Sequence, residues 1–247
     1  MREKLFLVFS VILVFSLVAC QPQEPTPTAL PSLDVVDLQI TPSLAHWLPE
    51  VAACAEDTPN FGIITDIRPA INLDISQTDL ILRLGQRQED DTFVAVMGSE
   101  VLVILAGKAV PLTNLSLESL QAIYKGNIQN WNQVPEASQA GISLDQPIQT
   151  LTFPQGHEVE KIFLANLLKM ESLPGDRLVH STPEYFATLL EDRPYALAYT
   201  LMSLAPSGYP PLMITGIDRE SLEIPVLAVT ASEPQGNLRQ LLLCLQK

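Results

Sequence analysis

Three observations in the sequence predict an α/β layer fold. Strand-like and helix-like apolar patterns alternate along residues 34–247. The strand-like runs are nearly continuously apolar, as strands covered on both faces should be. An amphipathic helix within 115–134 stops at a glycine and runs into an Asn-rich segment closed by a tryptophan. After the leader and tether described next, about 215 residues remain, enough for one large domain or two small lobes with proper cores.

Residues 1–19 read as an export signal: Arg2 and Lys4 form a charged start, and an apolar run from Leu5 to Ala19 follows. The run is short of the roughly 20 residues that span a bilayer and ends in small residues, which favours cleavage over retention. The closing "LVAC" resembles a bacterial lipobox, and this reading puts a lipid on Cys20 and anchors the mature chain to the cell membrane on its extracytoplasmic side. An ordinary signal peptide with a chance cysteine is the alternative. In the segment 20–33, Pro22, Pro25, Pro27 and Pro31 remove backbone donors and no apolar period exists, so it reads as an extended tether.

The folded part starts with a strand over "VVDLQIT" (35–41), followed by Leu44, Trp47, Leu48, Val51 and Ala55 at helical spacing. Pro49 interrupts that run and suits a first helical position. Short strands are expected at 61–65 and 79–85, and two runs separated by Gly98 at 92–107. The next helix has Ser116 as its N-cap, Leu117, Leu120, Ile123 and Tyr124 on one face, and Gly126 as its stop. Another follows "FPQGH" with an apolar face from Val159 to Met170, and a third opens at Thr182-Pro183. Late strands at 195–200 and 224–231 precede a C-terminal amphipathic helix. In an oxidising compartment the two remaining cysteines, Cys54 and Cys244, either pair or stay as buried thiols; the pairing would join the two ends of the folded part.

The segment "NLSLESLQAIYKGNIQNWNQV" resembles one in the phosphate-type periplasmic substrate-binding proteins of ABC transporters, where such a helix ends at a glycine and Asn-Trp follows. Leu115, Leu120, Ile123, Tyr124, Gly126, Asn130 and Trp131 carry the match. "ITPSLAHWLPEVA", "QTDLILRLGQ" and "PYALAYTLMS" fall in the order that the family would give them. The resemblance implies a type II periplasmic-binding-protein-like fold: two α/β lobes with a cleft between them, lobe 1 from 34–109 plus 201–247 and lobe 2 from 110–200. It further implies an extracytoplasmic solute-binding lipoprotein, a monomer that delivers a small-molecule or oxyanion ligand to an ABC permease. A surface sensing or interaction module without a transport role is the alternative.

For the ligand site, the resemblance points to Thr41 and Ser43 at the first strand–helix turn and to Asp79 as an acceptor; the other reading of Asp79 is a pair with Arg83. In the second half, Gln155, Gly156 and His157 stand where the family has Ser-Gly-Thr, and Leu151 stands where it has an arginine. Backbone donors are expected to survive there, and His157 to supply a cation below about pH 6.5. Each charged hydrogen bond lost is worth roughly 1.5–3 kcal/mol, so tight phosphate binding is not expected. The alternative is that Gln155 and His157 merely cap the helix.

No enzyme is expected. His46, His157 and His180 are far apart in sequence and none has a metal-ligand spacing; no nucleophile elbow or phosphate loop occurs, so no catalytic residue, metal or cofactor is assigned. The formal charge is −14, and loss of Arg2, Lys4 and Glu3 with the leader leaves 12 basic against 27 acidic side chains. Such a chain is a poor nucleic-acid binder.

Overall fold

In the computed structural model the described residues are 33–246, apart from Asp176 and Ser181. The export segment, Cys20 and the tether lie outside them. Strand β1 (Asp34–Ile40) gives way to a 3₁₀ turn (Pro42–Trp47) and helix α1 (Leu48–Glu56). Pro49 is thus the second helical residue, where a missing N–H costs nothing. Strands β2 (Phe61–Ile67) and β3 (Leu80–Leu84) follow.

The two runs expected around Gly98 are instead one strand, β4 (Phe93–Ala106). Gly98 does not end it, because its place is beside an aromatic ring: a Cβ there would lie 3.1 Å from Trp47. The register against the partner strand slips at this point, which is a β-bulge. Strand β5 (Asn114–Ser116) leads into α2 (Leu117–Tyr124), whose N-cap is Ser116 as expected, its hydroxyl accepting from Ser119 N. Gly126 takes the left-handed φ of 80° that its stop requires. Helix α3 (Pro135–Gln139) and strand β6 (Gln149–Thr152) come next. The helix after "FPQGH" is α4 (Glu158–Phe163), which continues as a π turn (Leu164–Leu168) and ends at a left-handed Lys169. Strand β7 (Leu178–Val179), helix α5 (Pro183–Asp192), strands β8 (Ala196–Leu201), β9 (Pro211–Thr215) and β10 (Glu223–Thr230), and helix α6 (Gly236–Leu245) complete the chain.

The strands join in the order β2-β1-β3-β10-β4-β8-β6-β7, with β9 pairing β4 and β5. Strand β4 serves both halves: residues 93–101 pair with β10, and residues 102–106 with β8. Its burial of Leu102, Ile104 and Leu105 explains its near-continuous apolar run. Trp131 is fully buried and its indole N–H donates to Tyr195 O at 2.8 Å, so it locks the loop after α2 as a packing residue. Cys54 on α1 and Cys244 on α6 form a disulfide with Cα atoms 5.8 Å apart. It closes a sequence separation of 190 residues. In the chain-entropy picture such a loop is worth on the order of 5 kcal/mol. Among the described residues no helix is long and apolar enough to cross a membrane.

Candidate functional site

Thr41 sits where β1 ends. Its N–H donates to Leu82 O at 3.2 Å and its C=O accepts from Leu44 N at 3.0 Å, so the backbone is held from both sides. Ser43 lies in the turn that follows, and both hydroxyls are buried. Leu84, the last residue of β3, brings its N–H to the same place, because β1 and β3 run parallel in register with Ile40 opposite Leu82. Thr41 and Ser43 are the residues that the resemblance assigns to one half-site, and Leu84 N–H lies beside them.

The side chain that meets them is Glu158, the first residue of α4. It is 6% exposed, and its Oε2 accepts from Leu84 N at 3.4 Å. Burial pushes its carboxyl up; Thr41, Ser43, the Leu84 amide and the Arg83 guanidinium pull it down without cancelling the cost. Both hydroxyls lower the carboxyl, yet Thr41 Oγ1, Ser43 Oγ and Glu158 Oε1 make no well-aligned hydrogen bond among the described residues. In the sequence Glu158 is the neighbour of His157. The acidic residue at the first position of a helix facing the hydroxyl-rich turn was the available signal.

The predicted second half-site is built differently from expectation. Gly156 N donates to Glu160 Oε2 at 2.6 Å, and Val159 N donates to His157 Nδ1 at 3.3 Å. The backbone donors thought to survive there are therefore taken by the chain's own side chains. Gln155 is exposed. His157 caps α4, and burial pushes its imidazole down to about 4, so it is not a cation near pH 6.5 as the sequence suggested. Leu151 is fully buried in β6.

Asp79 does not join the group. It is exposed, its Oδ2 accepts from Asp37 N at 2.9 Å, and it precedes β3, whereas Leu84 N is at the strand's other end. The alternative pairing with Arg83 is also overturned, since Arg83 binds Asp91 Oδ2 at 2.5 Å and Gln86 O at 2.9 Å. Residues four apart on a strand face the same way, but the rise along it places Asp79 about 13 Å from Arg83. Sequence proximity therefore misled the Arg83 reading.

His157 and His180, distant in sequence, are brought together around Phe153. The Phe153 ring is 4.4 Å from the His157 ring and 4.2 Å from that of His180. Behind them Phe163 stacks on Tyr199 at 3.8 Å, and Tyr199 OH and Thr152 Oγ1 are 2.6 Å apart. Among the described residues no cluster of three or more His, Cys, Asp or Glu is arranged to hold a metal.

No protein-family profile and no curated protein matches this chain. Solved structures do. An ABC-type phosphate transport receptor from Vibrio cholerae matches at 18% identity over 85% of this chain and 93% of its own, with a TM-score of 0.64. A phosphate ABC transporter substrate-binding protein from Clostridium perfringens, with phosphate bound, matches at 17% identity over 85% and 92%, with a TM-score of 0.69. The CcmR regulatory domain of Synechocystis PCC6803, in complex with 2-PG, matches at 12% identity over 86% and 96%, with a TM-score of 0.59. The fold is thus periplasmic-binding-protein-like, as the sequence pattern implied, and it is shared by transport receptors and regulatory domains.

Proposed function

We propose that the protein is an extracytoplasmic solute-binding lipoprotein of an ABC-type transporter whose phosphate-type site has been given over to its own Glu158. The fold and the likeness to phosphate transport receptors support a solute-binding role. The observation that carries the divergence is the Glu158 carboxylate set against Thr41, Ser43 and the Leu84 N–H. A phosphate brought to these donors meets the Glu158 carboxyl already set against them, and whenever that carboxyl is ionised the two like charges repel strongly in a site of low dielectric. Phosphate is therefore excluded electrostatically as well as by lost donors.

Calorimetry of the full chain in detergent, titrated with phosphate, sulfate and molybdate, should give no saturable heat. Glu158→Ser removes the internal charge and should bring phosphate binding into the measurable range. Sub-micromolar phosphate binding by the unaltered chain would sink this reading of the site. Lobe closure about the cleft, with 34–109 plus 201–247 moving against 110–200, would present the loaded form to a permease. Cross-linking in native membranes should capture that permease. The regulatory domain with the same fold favours a second reading, a surface sensing module, and it is the one left if no permease is captured. Anchorage through Cys20 is tested separately: Cys20→Ala should release the protein from the membrane fraction, and continued retention refutes the anchor.

A further inference from the structure

Ser43 also lines a cavity of about 240 Å³ that Glu158 does not line. Its walls are chiefly apolar, with Ile67, Phe153, Phe186 and Leu204 among them. The volume exceeds the roughly 150 Å³ that accommodates a benzene ring in an apolar protein cavity, which leaves room for a substituted or slightly larger ring.

The polar groups of the lining are few and specific. His180 is 1% exposed, and neither ring nitrogen has a hydrogen-bond partner among the described residues. A neutral imidazole offers one donor and one acceptor, so both kinds of bond go unmade among the described residues. Its position is nonetheless rigid: the backbone N–H donates to Thr152 O at 2.9 Å, and the ring lies 4.2 Å from Phe153 and 4.4 Å from Phe186. His157 also lines the cavity, and because its Nδ1 accepts from Val159 N, its proton resides on Nε2 as a donor. Ser43, Thr182 and Thr200 add hydroxyl groups to the lining.

Charge narrows the ligand class. Among the described residues no Asp, Glu, Lys or Arg lines the cavity, and burial pushes both histidines down to about 4, so they are neutral near pH 7. A charged ligand would lose its hydration without gaining a counter-ion, which is the costliest form of burial. A flat ring, by contrast, can pack against the aromatic walls while its polar edge meets the imidazoles.

We propose that this cavity binds a small, uncharged ring compound that carries a hydrogen-bond donor and an acceptor on one edge. The proposal rests on the solute-binding reading above and names the class of solute. His180 is the specificity-determining residue, Phe153 and Phe186 hold it in place, and the apolar walls take the body of the ring.

The test is a titration of the full chain in detergent near neutral pH with 2-pyridone as the neutral probe, and with benzoate and phenyltrimethylammonium as its anionic and cationic counterparts. Calorimetry and saturation-transfer NMR should show 2-pyridone saturating one site, with each charged probe weaker by about tenfold or more. His180→Phe keeps the aromatic volume and removes both ring nitrogens, and it should weaken 2-pyridone by about tenfold. Leu204→Trp, which fills the half-buried rim of the cavity, should abolish binding and serves where the His180 variant does not fold. No saturation by 2-pyridone overturns the proposal. So does benzoate binding as tightly as 2-pyridone, or 2-pyridone binding that Leu204→Trp leaves unchanged. Phosphate titrated into the same samples reports separately on the Glu158 site: tight phosphate binding refutes the divergence argued above, whereas the 2-pyridone result alone decides this cavity.

Discussion

Glu100 and Glu158 are both 6% exposed, yet their surroundings drive their carboxyls in opposite directions. Glu100 Oε1 accepts from Trp47 Nε1 at 3.0 Å and lies 2.7 Å from His46 Nε2, and its Oε2 accepts from Ser203 Oγ at 2.6 Å. Burial pushes that carboxyl up, but the bonds from His46, Ser203 and Trp47 outweigh it and leave it below the usual carboxylate range. Glu158 has one long contact at 3.4 Å, and burial wins. Equal burial thus has unequal consequences. The Glu100 region ties the first turn, β4 and the turn Met202–Leu204 together with every charge met, whereas the Glu158 region keeps polar groups unmet. Unmet buried polar groups are rare in folded proteins and concentrate where a protein does something other than fold.

The largest effect that separates the two regions is expected from acid. His157 and His180, on the Glu158 side, have pKa values near 4 when folded against 6.5 as free side chains. Between those values the unfolded chain binds protons that the folded chain refuses, so stability falls as pH drops from about 6.5 towards 4. Each histidine accounts for about 3 kcal/mol of that loss. Glu158 runs the other way: its raised carboxyl adds stability below the usual carboxylate pKa and loses it as pH rises through the folded value. Urea unfolding at pH 7, 5.5 and 4 should show the histidine loss dominating. A flat profile would mean that the two rings are not held neutral.

Next in size is Glu100→Ala, which strips the acceptor from His46, Trp47 and Ser203 at once. The expected cost is about 3–5 kcal/mol in urea unfolding, with Glu100→Gln costing less because it keeps one acceptor. A change under about 1 kcal/mol would contradict the tie ascribed to this cluster. The smallest effect, and of opposite sign, is expected from Glu158→Gln. It removes a buried charge while its amide can still accept from Leu84 N and donate to Thr41 or Ser43, so the thermal midpoint should rise by a few degrees near pH 7. A lowered midpoint would place Glu158 in the same class as Glu100 and erase the contrast.

Much of this contrast was not legible beforehand. The Thr41 and Ser43 turn was found, because a strand running into a hydroxyl-bearing turn is written in consecutive residues. Asp79 lies at the end of β3 away from that turn, and which end of a strand meets the turn depends on the pairing of β1 with β3. His180 carried no signal in the sequence, for its meaning arises only beside Phe153 and His157. The Glu100 cluster went unseen for the same reason, its members lying 53, 54 and 103 residues apart from it.

By itself the sequence determined what depends on near neighbours: the alternating strands and helices, the Ser116 cap and Gly126 stop, the buried Trp131, and the order of apolar runs that marks this fold. Those features follow from dihedral preference and periodicity, which act over a few residues. Only the tertiary structure decided which side chain meets Thr41, Ser43 and the Leu84 N–H. Whether a carboxylate ends with three donors or with one long contact is set by which distant elements meet, and Glu158 meets Leu84 across 74 residues of chain.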